Sequence, residues 1–129
     1  MAKFTYDHMH LRSPDPEATA KWYERMLDAQ VLRSMQEGKP RIDLKVGGVN
    51  IFIAQTDASV NPAPVTPYQG LDHFGLTVSG IDAIAAELKA NGVEFTREPT
   101  TVRPGTRVCF IRAPQGVSIE LLDRDPKYT

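Results

Sequence analysis

The sequence predicts an α+β fold made of two tandem βαβββ modules. The same order of strand and helix patterns occurs twice, and a shift of 65 places superposes Asp7-His8 on Asp72-His73. A segment with three prolines, at residues 56–70, separates the two copies and has neither a helical nor a strand period. An internal duplication accounts for these three observations.

We expect the two modules to form one domain. A chain of 129 residues with 41% hydrophobic residues is long enough for one ordinary core and too short for two independent domains. The expected boundaries are residues 1–55 for module one, 56–70 for the linker and 71–129 for module two.

In module one, an alternating run at residues 4–12 predicts the first strand. Asp15, followed by Pro16, marks the start of a helix that runs to about Leu27. The last two strands are joined across Gly47-Gly48, a pair typical of tight hairpins. The three strands after the helix are expected at residues 31–35, 41–46 and 49–54.

Module two repeats this order. A strand at residues 71–78 precedes a helix at residues 81–91, which ends before Gly92. The three following strands are expected at residues 93–96, 106–112 and 117–123.

Charge and composition limit the partners. Fifteen basic and sixteen acidic residues give a formal net charge of −1, so no overall field draws the protein to nucleic acid or to an anionic membrane. No signal-peptide core or membrane-length apolar stretch occurs, which predicts a soluble cytoplasmic protein. The single cysteine, Cys109, leaves imidazole, carboxylate and amide groups as metal ligands.

Strand alternation assigns side chains to the two faces of each sheet. The apolar residues of each first strand should cover the helix of their own module. The opposite face of the first strand then carries His8, His10 and Arg12. By the same rule, His73 and Glu120 lie on the corresponding face of module two.

Several motifs resemble the vicinal oxygen chelate superfamily, which includes glyoxalase I, bleomycin-resistance proteins and extradiol dioxygenases. The resemblance covers nearly the whole chain and implies curled mixed sheets around a metal cleft. The motifs that carry it are Asp7-His8-x-x-Leu11-x-x-x-Asp15, Trp22-Tyr23, Asp72-His73-Phe74-Gly75-Leu76-Thr77-Val78 and Pro114-Gln115-Gly116-Val117-Ser118-Ile119-Glu120-Leu121.

The resemblance implies one divalent metal ion held by His8, His73 and Glu120. Two imidazoles and a carboxylate form an open ligand set that suits Fe, Mn, Ni, Co or Zn and leaves positions for water or substrate. The sequence does not select among these metals.

A fourth ligand depends on the register of the fourth strand. Keeping the shift of 65 places pairs Gln55 with Glu120, which would give a four-ligand site. Aligning the apolar neighbours instead pairs Phe52 with Glu120. Residues 52 and 55 differ in parity, so both cannot face the metal from a regular strand. We favour Phe52, which predicts three ligands, because the Gly47-Gly48 hairpin is shorter than its counterpart in module two.

Other polar residues are candidates for substrate binding and proton transfer. Cationic side chains suit an anionic, oxygen-rich substrate, and the resemblance to glyoxalase I supports a role for Arg12 and for the Arg103-Pro104-Gly105 loop. The candidates for substrate binding are Arg12, Arg41, Lys45, Phe52 and Arg103. His10, Asp43 and Glu120 are the candidates for moving the proton.

Three functional classes stay open. The first is a metal-dependent lyase or isomerase that acts on a small anionic carbonyl compound through an enediolate. The second is an Fe(II) extradiol-type dioxygenase, or a thiol transferase that uses the same triad. The third is a non-catalytic drug-binding protein of the bleomycin-resistance type. In every class we expect a homodimer, because two modules leave an exposed sheet edge or face to cover.

Overall fold

The computed structural model describes residues 3–128 and contains the predicted α+β order of elements. The chain divides into two compact units, with the boundary between Asn61 and Pro62. The elements of the first unit are β1 (Met9–Ser13), α1 (Pro16–Leu27), β2 (Gln30–Gln36), β3 (Lys39–Val46) and β4 (Val49–Gln55). Those of the second are β5 (Phe74–Thr77), α2 (Ile81–Ala90), β6 (Glu94–Arg103), β7 (Thr106–Arg112) and β8 (Ser118–Arg124), with short 3-10 helices at Pro114–Gly116 and Pro126–Tyr128.

Each unit contains one mixed four-stranded sheet. The order is β1-β4-β3-β2 in the first unit and β5-β8-β7-β6 in the second, so the two topologies are identical. In each sheet the first and last strands of the module pair in parallel and the other neighbours are antiparallel. The prediction of two tandem βαβββ modules is confirmed. The predicted linker residues 56–70 contain neither a helix nor a strand. The assignment of both units to one domain stays a prediction.

One face of each sheet packs on the helix of its own unit. In the first unit α1 contacts all four strands, and Tyr23 of α1 is fully buried. Residues at alternate positions of the strands supply the rest of each core, as the apolar pattern predicts. The largest of these fully buried side chains are Leu44 and Ile51 in the first unit and Ile111, Ile119 and Leu121 in the second.

The two helices begin in different ways. Asp15 caps α1, because its Oδ1 accepts a hydrogen bond from the backbone N–H of Ala18 at 3.1 Å. Gly80, at the start of α2, has no side chain, and Asp123 of β8 supplies the missing acceptor. Asp123 Oδ2 accepts from the N–H groups of Gly80 and Ile81 at 2.9 and 3.0 Å. This carboxylate therefore links the helix to the last strand of its sheet.

Three predicted strand boundaries are wrong. The first strand begins at Met9 rather than Phe4, because β4 provides partners only from Met9 onward, and the ring of Phe4 is exposed. The fifth strand likewise begins at Phe74 rather than Leu71. The sixth strand continues to residue 103, well past the predicted end at 96, because it pairs with β7 through several register shifts.

Within residues 3–128, no helix is both long and apolar enough to span a membrane.

Replacing Asp123 with Ala should destabilise the protein by about 1 kcal/mol, because two N–H groups at the start of α2 lose their acceptor. Urea denaturation followed by circular dichroism would measure the change. Glu87→Ala, an exposed position on the same helix, is the matched control and should change the free energy of unfolding by much less. Equal effects of the two substitutions would contradict the capping role.

Candidate functional site

The second unit brings His73 and Glu120 together, although 47 positions separate them in the sequence. His73 precedes β5, and Glu120 lies on β8 opposite Gly75. The parallel pairing of these strands places His73 Nε2 at 3.1 Å from Glu120 Oε1. The two side chains are 31% and 19% exposed, so a small molecule or an ion from solvent can reach this pair.

The other nitrogen of His73 is occupied. Its Nδ1 lies 2.8 Å from Oδ2 of Asp72, so the Nδ1–H group donates to that carboxylate and Nε2 is left to face Glu120. The ring also makes an edge-to-face contact with Phe110 of β7, with 5.0 Å between ring centroids. His73 is thus held by a carboxylate and a phenyl ring while Nε2 stays directed at Glu120.

The pKa of His73 is raised above its ordinary value of 6.5. The hydrogen bond to Asp72 is the main cause, and Glu120 adds to it, whereas partial burial of the imidazole opposes both. The protonated imidazole of His73, which can donate to Asp72 from Nδ1 and to Glu120 from Nε2, is therefore more stable than that of an isolated histidine.

In the first unit, His8 repeats the arrangement of His73. Nδ1 of His8 lies 2.6 Å from Oδ2 of Asp7. Asn50 of β4 anchors this segment through two hydrogen bonds. Its side-chain Nδ2 donates to the backbone carbonyl of Asp7 at 3.4 Å, and its backbone carbonyl accepts from the hydroxyl of Tyr6 at 3.1 Å. The segment before β1 is therefore fastened to the sheet although it is not part of a strand.

The ring of Phe52 stacks on His8. The two centroids are 4.1 Å apart and the ring planes differ by 25°. Arg41 of β3 lies over the same phenyl ring, with Cζ 4.3 Å from the centroid. The Arg41 guanidinium also donates to Asp43 at 3.0 and 3.2 Å and to Gln36 at 2.7 Å. Arg41 and Asp43 thus neutralise one another.

The remaining candidates of the first unit share this face of the sheet. His10 lies opposite Phe52, and its ring centroid is 6.4 Å from that of His8. Arg12 follows two positions along β1, and Lys45 lies on β3 opposite Asn50. All three side chains are exposed. Strand alternation correctly assigned them to the face that α1 does not cover.

The strand registers identify which residue of module one corresponds to Glu120. On β4, Ile51 pairs with Met9, just as Ile119 pairs with Phe74 in the second unit. Phe52 is therefore equivalent to Glu120, in agreement with the register chosen from the sequence. Gln55 instead lies exposed at the end of β4, opposite Ser13.

One sequence candidate, Arg103, lies apart from the His73 and Glu120 pair. Arg103 ends β6 opposite Thr106, which pairs with Arg124 on β8. Arg124 is four residues along β8 from Glu120, a distance of roughly 13 Å.

Cys109, which was not a candidate, is a buried core residue. Burial raises the pKa of its thiol to about 11, which makes the thiol unreactive.

Sequence analysis gave no role to Asp7 and Asp72. Both residues appeared only as markers of the repeat, yet each orients the histidine that follows it. A carboxylate behind a candidate ligand histidine is the signal that could have identified them. The contacts of Phe110 and Asn50 depend on strand register and carried no comparable signal.

The pair in the second unit fits one divalent ion. Two ligand atoms bound at about 2.1 Å and at a right angle lie about 3.0 Å apart, close to the 3.1 Å between His73 Nε2 and Glu120 Oε1. The hydrogen bond that His73 Nδ1 donates to Asp72 is the usual support for a ligand histidine. In the described part of the chain, no three His, Cys, Asp or Glu side chains are gathered closely enough to hold a metal. The convergence of His8 with this pair stays a prediction.

Comparison with known proteins identifies the family. Residues 5–121 match the sequence profile of the Glyoxalase/Bleomycin resistance protein/Dioxygenase superfamily. The chain belongs to this superfamily. The match confirms the resemblance to the vicinal oxygen chelate proteins that the sequence motifs predicted.

Named members of the glyoxalase superfamily align at low identity. The probable chloroplastic lactoylglutathione lyase of Arabidopsis thaliana is 29% identical over 124 residues, which cover 92% of this chain and 35% of the relative. The lactoylglutathione lyase of Escherichia coli O157:H7 is 26% identical over 126 residues and 90% of each chain. The chain thus spans less than half of the plant relatives and nearly all of the bacterial one.

Solved structures at low sequence identity share the fold. The fosfomycin resistance protein FosX of Listeria monocytogenes superposes with a TM-score of 0.76 at 18% identity and covers 98% of both chains. A glyoxalase family protein of Enterococcus faecalis gives a TM-score of 0.74 at 24% identity, with 95% of this chain and 99% of the other covered.

The raised pKa of His73 predicts how Asp72 affects stability. A group whose pKa is higher in the folded state stabilises the fold fully below its unfolded pKa, and the effect is lost as the pH rises through the folded pKa. The wild-type protein without metal should therefore have a higher free energy of unfolding than Asp72→Asn. This difference should be largest at about pH 5.5 and smallest at about pH 8.5. Urea denaturation across this range would measure it, with exposed Glu94→Gln as the control. A stability difference that grows with pH would contradict the assignment.

Proposed function

We propose that the protein is a divalent-metal-dependent enzyme, a glyoxalase-like lyase or isomerase that acts on a small anionic carbonyl compound. The single observation that carries the proposal is the pair His73 Nε2 and Glu120 Oε1, 3.1 Å apart and backed by Asp72. The same Asp-His arrangement recurs at Asp7 and His8. Names of relatives that align over most of this chain, such as lactoylglutathione lyase, favour the same class of reaction.

His8, His73 and Glu120 are the proposed metal ligands. A bound ion would polarise a substrate carbonyl, which acidifies the adjacent C–H bond and stabilises the resulting enediolate. The hydrogen bonds that Nδ1 of His8 and Nδ1 of His73 donate to Asp7 and Asp72 support this ligand set, because they leave each Nε2 to bind. The chemistry of the three donors suits Fe, Mn, Ni, Co or Zn.

His10 is the proposed group that accepts and returns the substrate proton. Its imidazole is exposed and 6.4 Å from the His8 ring, centroid to centroid, and imidazole exchanges protons near neutral pH. Asp43 is a weaker candidate for this role, because Arg41 engages both of its oxygens. Glu120 can take part in proton transfer through the carboxylate oxygen that does not face His73.

Arg12 and Lys45 are the proposed contacts for an anionic substrate group. Both side chains are exposed on the face that carries His8 and His10, and no ion pair is recorded for either residue within the described range. A guanidinium binds a carboxylate at two points, which would orient the substrate as well as attract it. Arg103 remains a further candidate for substrate contact.

The runner-up is an Fe(II) extradiol-type dioxygenase or a thiol transferase. The position of Phe52 favours this alternative, because a phenyl ring stands where the repeat would put a second carboxylate. A three-ligand site leaves more positions for a co-substrate than a four-ligand site.

We further propose that the protein works in the cytoplasm and needs neither nucleic acid nor a membrane as partner. The near-neutral charge supports this part of the proposal.

Loss of metal binding on substitution tests the ligand set. His8→Ala, His73→Ala and Glu120→Gln should each weaken binding of Ni²⁺, Co²⁺ or Zn²⁺ and abolish turnover, and Asp72→Asn should weaken binding about 10- to 100-fold. Isothermal titration calorimetry on the metal-free protein would measure the affinities, with Glu94→Gln as the control. Wild-type affinity in all three ligand variants would refute the site.

Metal content and oxygen uptake together separate the functional classes. A lyase or isomerase should turn over a small carbonyl substrate that carries an anionic group, with Ni, Co, Zn or Mn, and consume no O₂. Bound iron with catechol-dependent O₂ uptake would instead support the dioxygenase. Drug binding without any effect of metal would support the bleomycin-resistance type and contradict the enzyme proposal.

We expect a homodimer, whose twofold symmetry would cover exposed sheet edges. Light scattering should give about twice the chain mass of 14.3 kDa, and a concentration-independent monomer would contradict the expectation. Mixing His8→Ala chains with Glu120→Ala chains then distinguishes two arrangements. Restored activity in mixed dimers means that ligands are shared between subunits, and no restoration means that each site is built by one chain.

A further inference from the structure

We propose that Phe52, together with the Arg41–Asp43 ion pair, is a positioning device that fixes the plane of the His8 imidazole. Three of these four side chains were candidates for substrate binding or proton transfer on sequence grounds. Their contacts to one another favour a different role. The proposal rests on the proposed function only in treating His8 as a metal ligand, since the packing itself lies within the first unit.

Side chains from or next to three neighbouring strands form one stack around Phe52. Phe52 lies on β4, with β1 on one side and β3 on the other. His8, just before β1, stacks on the phenyl ring at 4.1 Å, and Arg41 of β3 lies over the ring at 4.3 Å. Two planar groups at these distances cannot share one face of a phenyl ring, so the imidazole and the guanidinium lie on opposite faces.

Neighbouring side chains hold Arg41 in its place in the stack. Arg41 does not depend on Phe52 alone, because its Nε–H is shared between the two oxygens of Asp43 and its Nη1 donates to Gln36. The side chains of Arg41 and Asp43 are only 30% and 24% exposed. A guanidinium held by two neighbouring side chains has few alternative rotamers, so its position over Phe52 is fixed.

Two contacts together fix the orientation of the His8 imidazole. Asp7 holds the Nδ1 edge of His8 at 2.6 Å, and Asn50 fastens the backbone of Asp7 to β4. One edge contact alone leaves an imidazole able to rotate about the axis through that contact. Stacking on Phe52 removes this rotation, so the direction of Nε2 is set before any ligand binds.

The second unit supports this interpretation by contrast. The registers make Phe52 equivalent to Glu120 and Asp43 equivalent to Phe110. Carboxylate and phenyl have therefore exchanged strands between the two modules. In the second unit the carboxylate hydrogen-bonds to the imidazole, and the phenyl makes an edge-to-face contact with it. In the first unit the phenyl faces the imidazole and the carboxylate holds the arginine behind it.

Nuclear magnetic resonance on the metal-free protein tests the positioning directly. A ring stacked on a phenyl face experiences an upfield ring-current shift. Phe52→Leu should move the His8 ring-proton resonances downfield, and Phe52→Tyr should keep them near wild-type values. Arg41→Met should move them less than Phe52→Leu and should have no further effect in the Phe52→Leu background. Phe110→Leu, the matched change in the second unit, should leave the His8 resonances unchanged.

Titration of the same variants with Zn²⁺ tests the consequence for binding. Phe52→Leu should weaken Zn²⁺ binding about 10-fold, the lower range for groups that orient a metal ligand, and Phe52→Tyr should bind Zn²⁺ as the wild type does.

His8 resonances that do not move in Phe52→Leu would overturn the proposal, whatever the Zn²⁺ titration shows. If His8→Ala weakens Zn²⁺ binding but Phe52→Leu leaves the Zn²⁺ affinity unchanged, the proposal is also overturned. If His8→Ala does not weaken Zn²⁺ binding, the proposed function fails, and the resonance shifts alone decide the positioning of His8. Should Phe52→Leu not fold, Arg41→Met and Phe52→Tyr carry the same comparison.

Discussion

Parallel pairing of the first and last strands of each module is the constraint on which the rest of the structure depends. A parallel pair needs a crossover connection, and in each unit that connection contains the helix, which covers one face of the sheet. The polar candidates of β1 and β3, His10, Arg12 and Lys45, lie on the other face. The same pairing brings together residues from opposite ends of a module, and it is why His73 meets Glu120 across 47 positions. Without the pair β5 and β8, the second unit would have a histidine and a carboxylate but no site.

The two modules share one backbone arrangement but place different side chains against the histidine. An Asp-His pair precedes the first strand of each, and in both the aspartate holds Nδ1 of the histidine. Beyond that contact the modules differ, because the position of Glu120 on β8 is taken by Phe52 on β4. One histidine therefore faces a charge and the other faces a ring. The histidine that faces a charge also has a raised pKa, because Asp72 and Glu120 both stabilise its protonated form.

Much of the fold could be predicted, because apolar alternation and helix start signals are local. The cap at Asp15, the helix from Pro16 and the strand Thr106–Arg112 follow the pattern closely. Strand ends were less predictable. Residues such as Phe4 and Leu71 alternate as a strand would, yet β1 and β5 begin later, because backbone pairing with β4 and β8 starts only at Met9 and Phe74. The β6 strand was predicted too short, because its register shifts interrupt the period of two.

By itself the sequence determined the order of elements, the duplication, the face of the sheet on which each candidate lies and the superfamily. These properties depend on spacing along the chain, which the sequence contains. The tertiary structure alone decided which side chains satisfy one another: Glu120 with His73, Asp43 with Arg41, and Phe52 with His8. Such pairs depend on strand register and rotamer, so a charged residue that looks free in the sequence, such as Arg41, can already be occupied in the fold.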